Sequence, residues 1–298
     1  MASMRVVSLL PSTTEILFAI GAGDDVVGVT FECDHPPEAR SRTIVSTTAL
    51  PEGLDPAGID AYVSRAVQAG EDLYHLDAGA LSGLDADLVV TQDLCAVCAV
   101  DVSVVDDALA HLGCTAEVLT IDPHTLDQVL DSVLVLGRAT GREPAAAELV
   151  RGLRARLALV AARSALRGTR RPRVAVLEWT DPAFSPGHWV PEMVELAGGE
   201  SVLGRTGERS VRLDWDAVRD AAPELVVCAP CGFELPASVE LAEQLVASGV
   251  LPDGVPVWAV DANASYARPG PRLVDGVEQL EAVLSGRTPD PTAARRVR

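Results

Sequence analysis

Two Cys-x-x-Cys pairs stand out, Cys95 and Cys98 in "VVTQDLCAVCAV" and Cys228 and Cys231 in "ELVVCAPCGF". Each pair leaves an apolar run that reads as a buried strand, and Cys33 leaves another in "VVGVTFEC". Four thiolates are the donor set of a zinc or iron–sulfur centre. The first chemistry they suggest is therefore a soft-metal or cluster site built from Cys95, Cys98, Cys231 and either Cys228 or Cys33. Two other readings stand beside it: a cysteine-rich cleft that touches a metal complex without four-thiolate ligation, and small buried cysteines that do no chemistry. The gap between the pairs is too long for a zinc ribbon. "CAVCAVDVSVVDDAL" sets Cys95 at the start of a helical pattern, where a helix N-terminus favours thiolate. Cys228 continues its strand and is expected to point into the sheet, whereas Cys231 lies beyond it, before Gly232.

Other side chains fall at similar strand exits. "PSTTE" brings Pro11, Ser12 and Thr13, and "VVTQ" brings Gln92. "VAVLEW" delivers Glu178 and Trp179, and "SPGHWVPE" follows with His188 and Trp189. "NASYARPGPR" carries Tyr266 and Arg268. Trp179, Trp189 and Tyr266 suit stacking on a flat ligand, or else core packing, the better reading for Phe233. Arg268 suits a carboxylate or phosphate, or a surface acid. His188 suits an axial metal ligand or a ligand hydrogen bond, with a capping or solvated loop side chain as the plainer alternative. His35 and His124 offer the same chemistry with less support. Cys114, after a helix, reads as a small buried residue.

The elements that must position these residues alternate. "RVVSLL", "VVGVTF", "DLVVTQ" and "AEVLTI" are strand-like and are followed by helical patterns, which predicts strand-helix-strand units on a parallel sheet. "TLDQVLDSVLVLGRATG" carries an apolar helical stripe with a capping box at Thr125 and Gln128. The pattern restarts at "RVAVLEW", "ELVVCA" and "VPVWAVDA". The reading is an N-terminal α/β lobe over 1–142, a linking helix over 143–167, a C-terminal α/β lobe over 168–288 and a frayed tail over 289–298. Ligands of open parallel sheets bind outside the carboxyl ends of the strands, which is where five of the six cysteines fall.

Composition narrows the function. There are 24 basic and 43 acidic residues, a net charge of −19, which disfavours nucleic acid and anionic lipid as partners. No run is long and apolar enough to insert in a membrane. The first apolar run is broken by Pro11 and Glu15 and shows no export signal, so the expected location is the cytoplasm, where thiols stay reduced. No G-x-G-x-x-G, P-loop or G-x-S-x-G motif follows a strand.

"RVVSLLPSTTEILFAIGAGDDVVGVT" resembles the opening of the helical-backbone (class III) substrate-binding proteins of iron-siderophore, haem and vitamin B12 ABC importers, and the resemblance covers nearly the whole chain. "ECDHP", "QDLCAVC", "EWTDPAFSPGHWVPEMVELAGG" and "ARPGPRLVDG" look like a cobalamin-binding subgroup. The resemblance implies two Rossmann-like lobes with parallel sheets joined by one long helix, with a ligand cleft between them. It implies a binding protein rather than an enzyme, holding a cobalamin-like corrinoid or another small-molecule metal complex, with an ABC permease as the family's partner. The rival reading is a redox protein with a cysteine-ligated iron–sulfur or metal centre at the lobe interface.

Overall fold

The structure is a computed structural model that describes residues 4–69, 71, 73–92 and 115–298. Cys95, Cys98, His111, Cys114 and the helical pattern after Cys98 lie outside the described residues. The chain divides into two compact units, residues 1–122 with 130–150 and residues 123–129 with 151–298.

In the first unit the apolar runs become short parallel strands: β1 (Val6–Ser8), β2 (Val26–Val29), β3 (Thr43–Ile44), β6 (Leu88–Thr91) and β7 (Glu117–Thr120), in the order β3-β2-β1-β6-β7. β1 and β6 are buried on both faces, as their unbroken Val/Leu pattern requires. β4 (Ser46–Thr48) and β5 (Tyr74–Leu76) pair as an antiparallel ribbon beside the sheet order. Helix α1 (Pro11–Ala19) opens with proline at its first turn and buries Ile16 and Leu17. The apolar run that opens the sequence is thus consumed by β1 and α1. Helices α2 (Pro56–Ala69) and α3 (Ala78–Ser82) follow, then α4 (Leu126–Ala139).

Helix α5 spans Glu143–Leu166 as one 24-residue element. Its buried stripe runs through Ala146, Val150, Leu153 and Val160.

The second unit repeats the plan. β8 (Arg173–Leu177), β12 (Leu225–Cys228) and β13 (Val257–Val260) are parallel neighbours, and β11 (Glu200–Ser201) flanks β8. β14 (Ala294–Arg296) pairs antiparallel with β13. This corrects the frayed tail. Apolar Ala294 is 3% exposed, and the Arg298 guanidinium donates to the Val255 and Pro252 carbonyls. A two-residue ribbon, β9 (Trp179–Thr180) and β10 (Ala183–Phe184), leaves β8. Around the sheet come α6 (Val190–Leu196), α7 (Trp215–Asp220), α8 (Leu235–Ala247), α9 (Ala262–Ser265) and α10 (Leu273–Leu284).

Side chains alternate between two cores. Val174 and Val176 of β8 and Leu225 and Val227 of β12 pack with α6 and α10, while Ala175, Leu177, Val226 and Cys228 pack with α8. The arginines in the second half of α5 form ion pairs. Arg156 pairs with Glu278 at 2.7 Å and with Asp275, and Arg163 and Arg167 pair with Glu281, all on α10.

Candidate functional site

The best-defined cluster lies where β8 ends in the second unit. Glu178 follows Leu177 and turns back on the loop it precedes. Its Oε1 accepts the Gly187 N–H at 2.8 Å. Burial pushes the carboxyl up to about 7, against the opposing pull of the Gly187 N–H and the Ser210 hydroxyl. The loop 185–189 is pinned along its length by residues 204–211. Ser185 N donates to the Val211 carbonyl at 2.9 Å, His188 N to the Glu208 carbonyl at 2.7 Å, and Gly207 N to the His188 carbonyl at 2.8 Å. The two segments touch so closely that a Cβ on Gly204 would sit 1.9 Å from the Pro186 carbonyl oxygen.

This clamp holds His188 at φ +50°, a left-handed conformation a non-glycine residue adopts only when its surroundings impose it. Its ring lies 5.5 Å from that of Trp189 and 5.6 Å from that of His124. Trp189 is 5% exposed, and its indole N–H donates to the Tyr266 carbonyl at 2.8 Å. The capping box at Thr125 is shifted. Gln128 N donates to the Thr125 hydroxyl at 3.3 Å, but the Gln128 Oε1 accepts from His124 N at 2.6 Å, one residue earlier. That bond fixes the His124 backbone beside the loop. Trp179 packs on Phe233 at 5.5 Å between ring centroids, and its indole N–H donates to the Asp181 carbonyl at 3.0 Å. Arg268 is buried at 9% exposure. Two aromatic groups are thus half-buried here, Trp179 against Phe233 and His188 against His124 and the buried Trp189, and apolar walls with a few polar anchors are the usual chemistry of a small-molecule site.

In the first unit, Pro11, Ser12 and Thr13 form the first turn of α1, and Gln92 directly follows β6 with 5% exposure. Thr13 is fully buried. Its hydroxyl lies 2.6 Å from the Ser8 hydroxyl and 3.1 Å from the Leu10 carbonyl, so it serves the β1–α1 turn.

The cysteines depart from the thiolate reading. Cys228 is fully buried between β8, β13 and α8, and burial pushes its thiol up to about 12. It is a small hydrophobe in the core rather than a metal ligand. Cys33 is 2% exposed, with its sulfur 3.1 Å from the Thr14 hydroxyl and 3.2 Å from that of Thr30. Cys231 is exposed, and its N–H donates to the Glu178 carbonyl at 3.0 Å. Among the described residues, no three His, Cys, Asp or Glu side chains gather as a metal site. The metal-binding, cysteine-rich cleft is corrected at Cys228, and the iron–sulfur alternative has no support among the described residues.

The spacing of "GRTGERS", which supplies Gly204, Gly207, Glu208 and Ser210, carried no motif. Its two glycines at positive φ were the available signal for a loop that must lie close to another backbone.

A chain of two α/β units with five-stranded sheets, a long helix from Glu143 to Leu166 and an aromatic, tightly clamped loop at one sheet edge describes a class of ligand-binding proteins. The chain belongs to the periplasmic binding protein family, which matches residues 6–251. A cobalamin-binding protein of Halobacterium salinarum is 25% identical over 283 residues, covering 93% of this chain and 68% of its own. Two solved structures share the fold. A periplasmic haem-binding protein from Pseudomonas aeruginosa matches with a TM-score of 0.72 at 18% identity, over 98% of this chain and 97% of its own. The periplasmic vitamin B12-binding protein of Vibrio cholerae matches with a TM-score of 0.64 at 21% identity, over 94% and 96%. Among the described residues, no helix is long and apolar enough to cross a membrane.

Proposed function

We propose that this chain is a binding protein for a corrinoid of the cobalamin type, gripped against the 185–189 loop of the second unit. The carrying observation is the clamp itself. The Glu178 carboxylate and the backbone bonds of Ser185, His188 and Gly207 fix the loop before any ligand arrives, and the loop holds the half-buried His188 imidazole against the buried Trp189 indole. Preorganised aromatic surface lowers the ordering cost of binding a large flat molecule. The cobalamin-binding relative, similar over most of the chain, supports a corrinoid over other metal complexes.

The proposed location is the cytoplasm, with the ligand held or handed on there rather than delivered to an ABC permease. Fractionation of the native host separates the two roles, since recovery outside the cytoplasm would restore an import role.

The binding reading is tested by purifying the chain from cells grown with cobalamin. The expected product is red and carries about one cobalt per chain. A colourless, cobalt-free product that stays colourless after incubation with corrinoid would contradict the reading.

A further inference from the structure

The Ser210 hydroxyl stands between two acceptors and has one proton to give. It donates to the Ser185 carbonyl at 2.6 Å, which ties residue 210 to the start of the 185–189 loop, and it also bonds the Glu178 carboxyl. That carboxyl takes the Gly187 N–H at 2.8 Å as well. The groups are crowded, since a Cβ on Gly187 would sit 2.4 Å from Ser210 N. With its proton on Ser185, the Ser210 oxygen offers Glu178 only a lone pair. An ionised carboxylate would meet it as a second acceptor. A protonated carboxyl donates to it and completes a chain from Glu178 through Ser210 to the Ser185 carbonyl.

We propose that Glu178 is a proton switch on the 185–189 loop: protonated, it supports the bond from Ser210 to Ser185, and ionised, it draws the Ser210 hydroxyl to itself and loosens the start of the loop. The inference rests on the binding reading above and makes the grip on the ligand depend on pH. A carboxyl raised to about 7 by burial changes state near neutrality. The clamp is therefore complete well below that pH and is lost as pH rises through it. The charged side chains on the segments bonded to Glu178 are Asp181, Arg205, Glu208, Arg209 and Arg212, all exposed, as is Cys231. Among the described residues none of them shifts the Glu178 carboxyl, which answers to burial, the Gly187 N–H and the Ser210 hydroxyl. His188 is a second group on the loop of a type that titrates near neutrality, so the test must separate the two.

The test compares wild type with Glu178→Gln and Ser210→Ala by amide hydrogen exchange of the loop without ligand. The glutamine amide accepts and donates as the protonated acid does but cannot ionise. Wild type should match Glu178→Gln at about pH 6 and exchange about threefold to tenfold faster at about pH 8, the worth of one hydrogen bond. Against Ser210→Ala the order reverses, with wild type slower at about pH 6 and equal at about pH 8. Wild-type affinity for dicyanocobinamide should fall over the same range, and that fall should vanish in Glu178→Gln. Exchange ratios that stay flat with pH would overturn the proposal. A pH-dependent affinity kept in Glu178→Gln would also overturn it, because the titration would then belong to another group such as His188. A chain whose loop switches but which binds no corrinoid at either pH would refute the binding reading and leave the switch standing.

Discussion

The Glu178 carboxylate accepts the Gly187 N–H at 2.8 Å, so the first residue beyond β8 sets the conformation of the loop that carries His188 and Trp189. A carboxyl raised to about 7 from an ordinary 4.5 is a burial effect with a stability consequence. The folded chain binds this proton more tightly than the unfolded chain. The group's contribution to stability is therefore full below about pH 4.5, falls as pH rises towards 7 and is flat above it.

Glu178→Gln keeps the acceptor and removes the titration. The variant's stability relative to wild type should rise between about pH 5 and pH 8, by up to about 3 kcal/mol, in denaturant unfolding at a series of pH values. A pH-independent difference would show that Glu178 is not desolvated.

Gly204→Ala should do more damage than Gly207→Ala. Both glycines have positive φ, but only at 204 does a new Cβ meet backbone, the Pro186 carbonyl oxygen at 1.9 Å. Gly207→Ala carries conformational strain of about 1 kcal/mol. Gly204→Ala should also displace the 185–189 loop and weaken ligand binding by tenfold or more. Equal effects of the two substitutions on affinity would argue against the clamp.

Much of the fold was legible because buried parallel strands are unbroken Val/Leu runs, and the ends of α5 are marked by Glu143 and the polar "RGTRR" after Leu166. β14 was missed because "TPDPTAARRVR" is polar. It is an edge strand whose arginines stay exposed while Ala294 alone fills the core side. The site was legible only as residue types. That Cys228 would face the α8 core followed from strand alternation, but its exclusion as a ligand needed the surrounding side chains. The clamp on His188 was not legible, because most of its bonds join backbone groups of two segments about twenty residues apart, and the side chains that add to it, Glu178, Ser185 and Ser210, form no spaced motif.

Cys231 should react quickly with a thiol reagent in the folded protein and Cys228 should not. The first is exposed, and the second is buried with its thiol pushed up to about 12. Cys231→Ser should remove one fast-reacting thiol, and Cys228→Ser none, in a timed colorimetric assay. Loss of a fast thiol on changing Cys228 would contradict its place in the core.

Glu281 is 1% exposed and receives Arg163 at 3.2 Å, Arg167 at 2.6 Å, and Arg287. Glu281→Gln should destabilise the chain by about 1–3 kcal/mol, since the neutral amide cannot satisfy three guanidinium groups. The check is a lower denaturant midpoint at unchanged slope. An unchanged midpoint would mean that the ion cluster contributes nothing net.

The central claim is that the clamped aromatic loop binds a corrinoid. Its most direct test is an equilibrium titration of the purified chain with dicyanocobinamide and cyanocobalamin, followed by tryptophan fluorescence and repeated with Trp189→Ala. The account predicts saturable one-to-one quenching by at least one corrinoid, with Kd of about 1 μM or tighter, near −8 kcal/mol, and binding at least tenfold weaker in the variant. Absence of saturable binding by the wild type, or full affinity in Trp189→Ala, would contradict it.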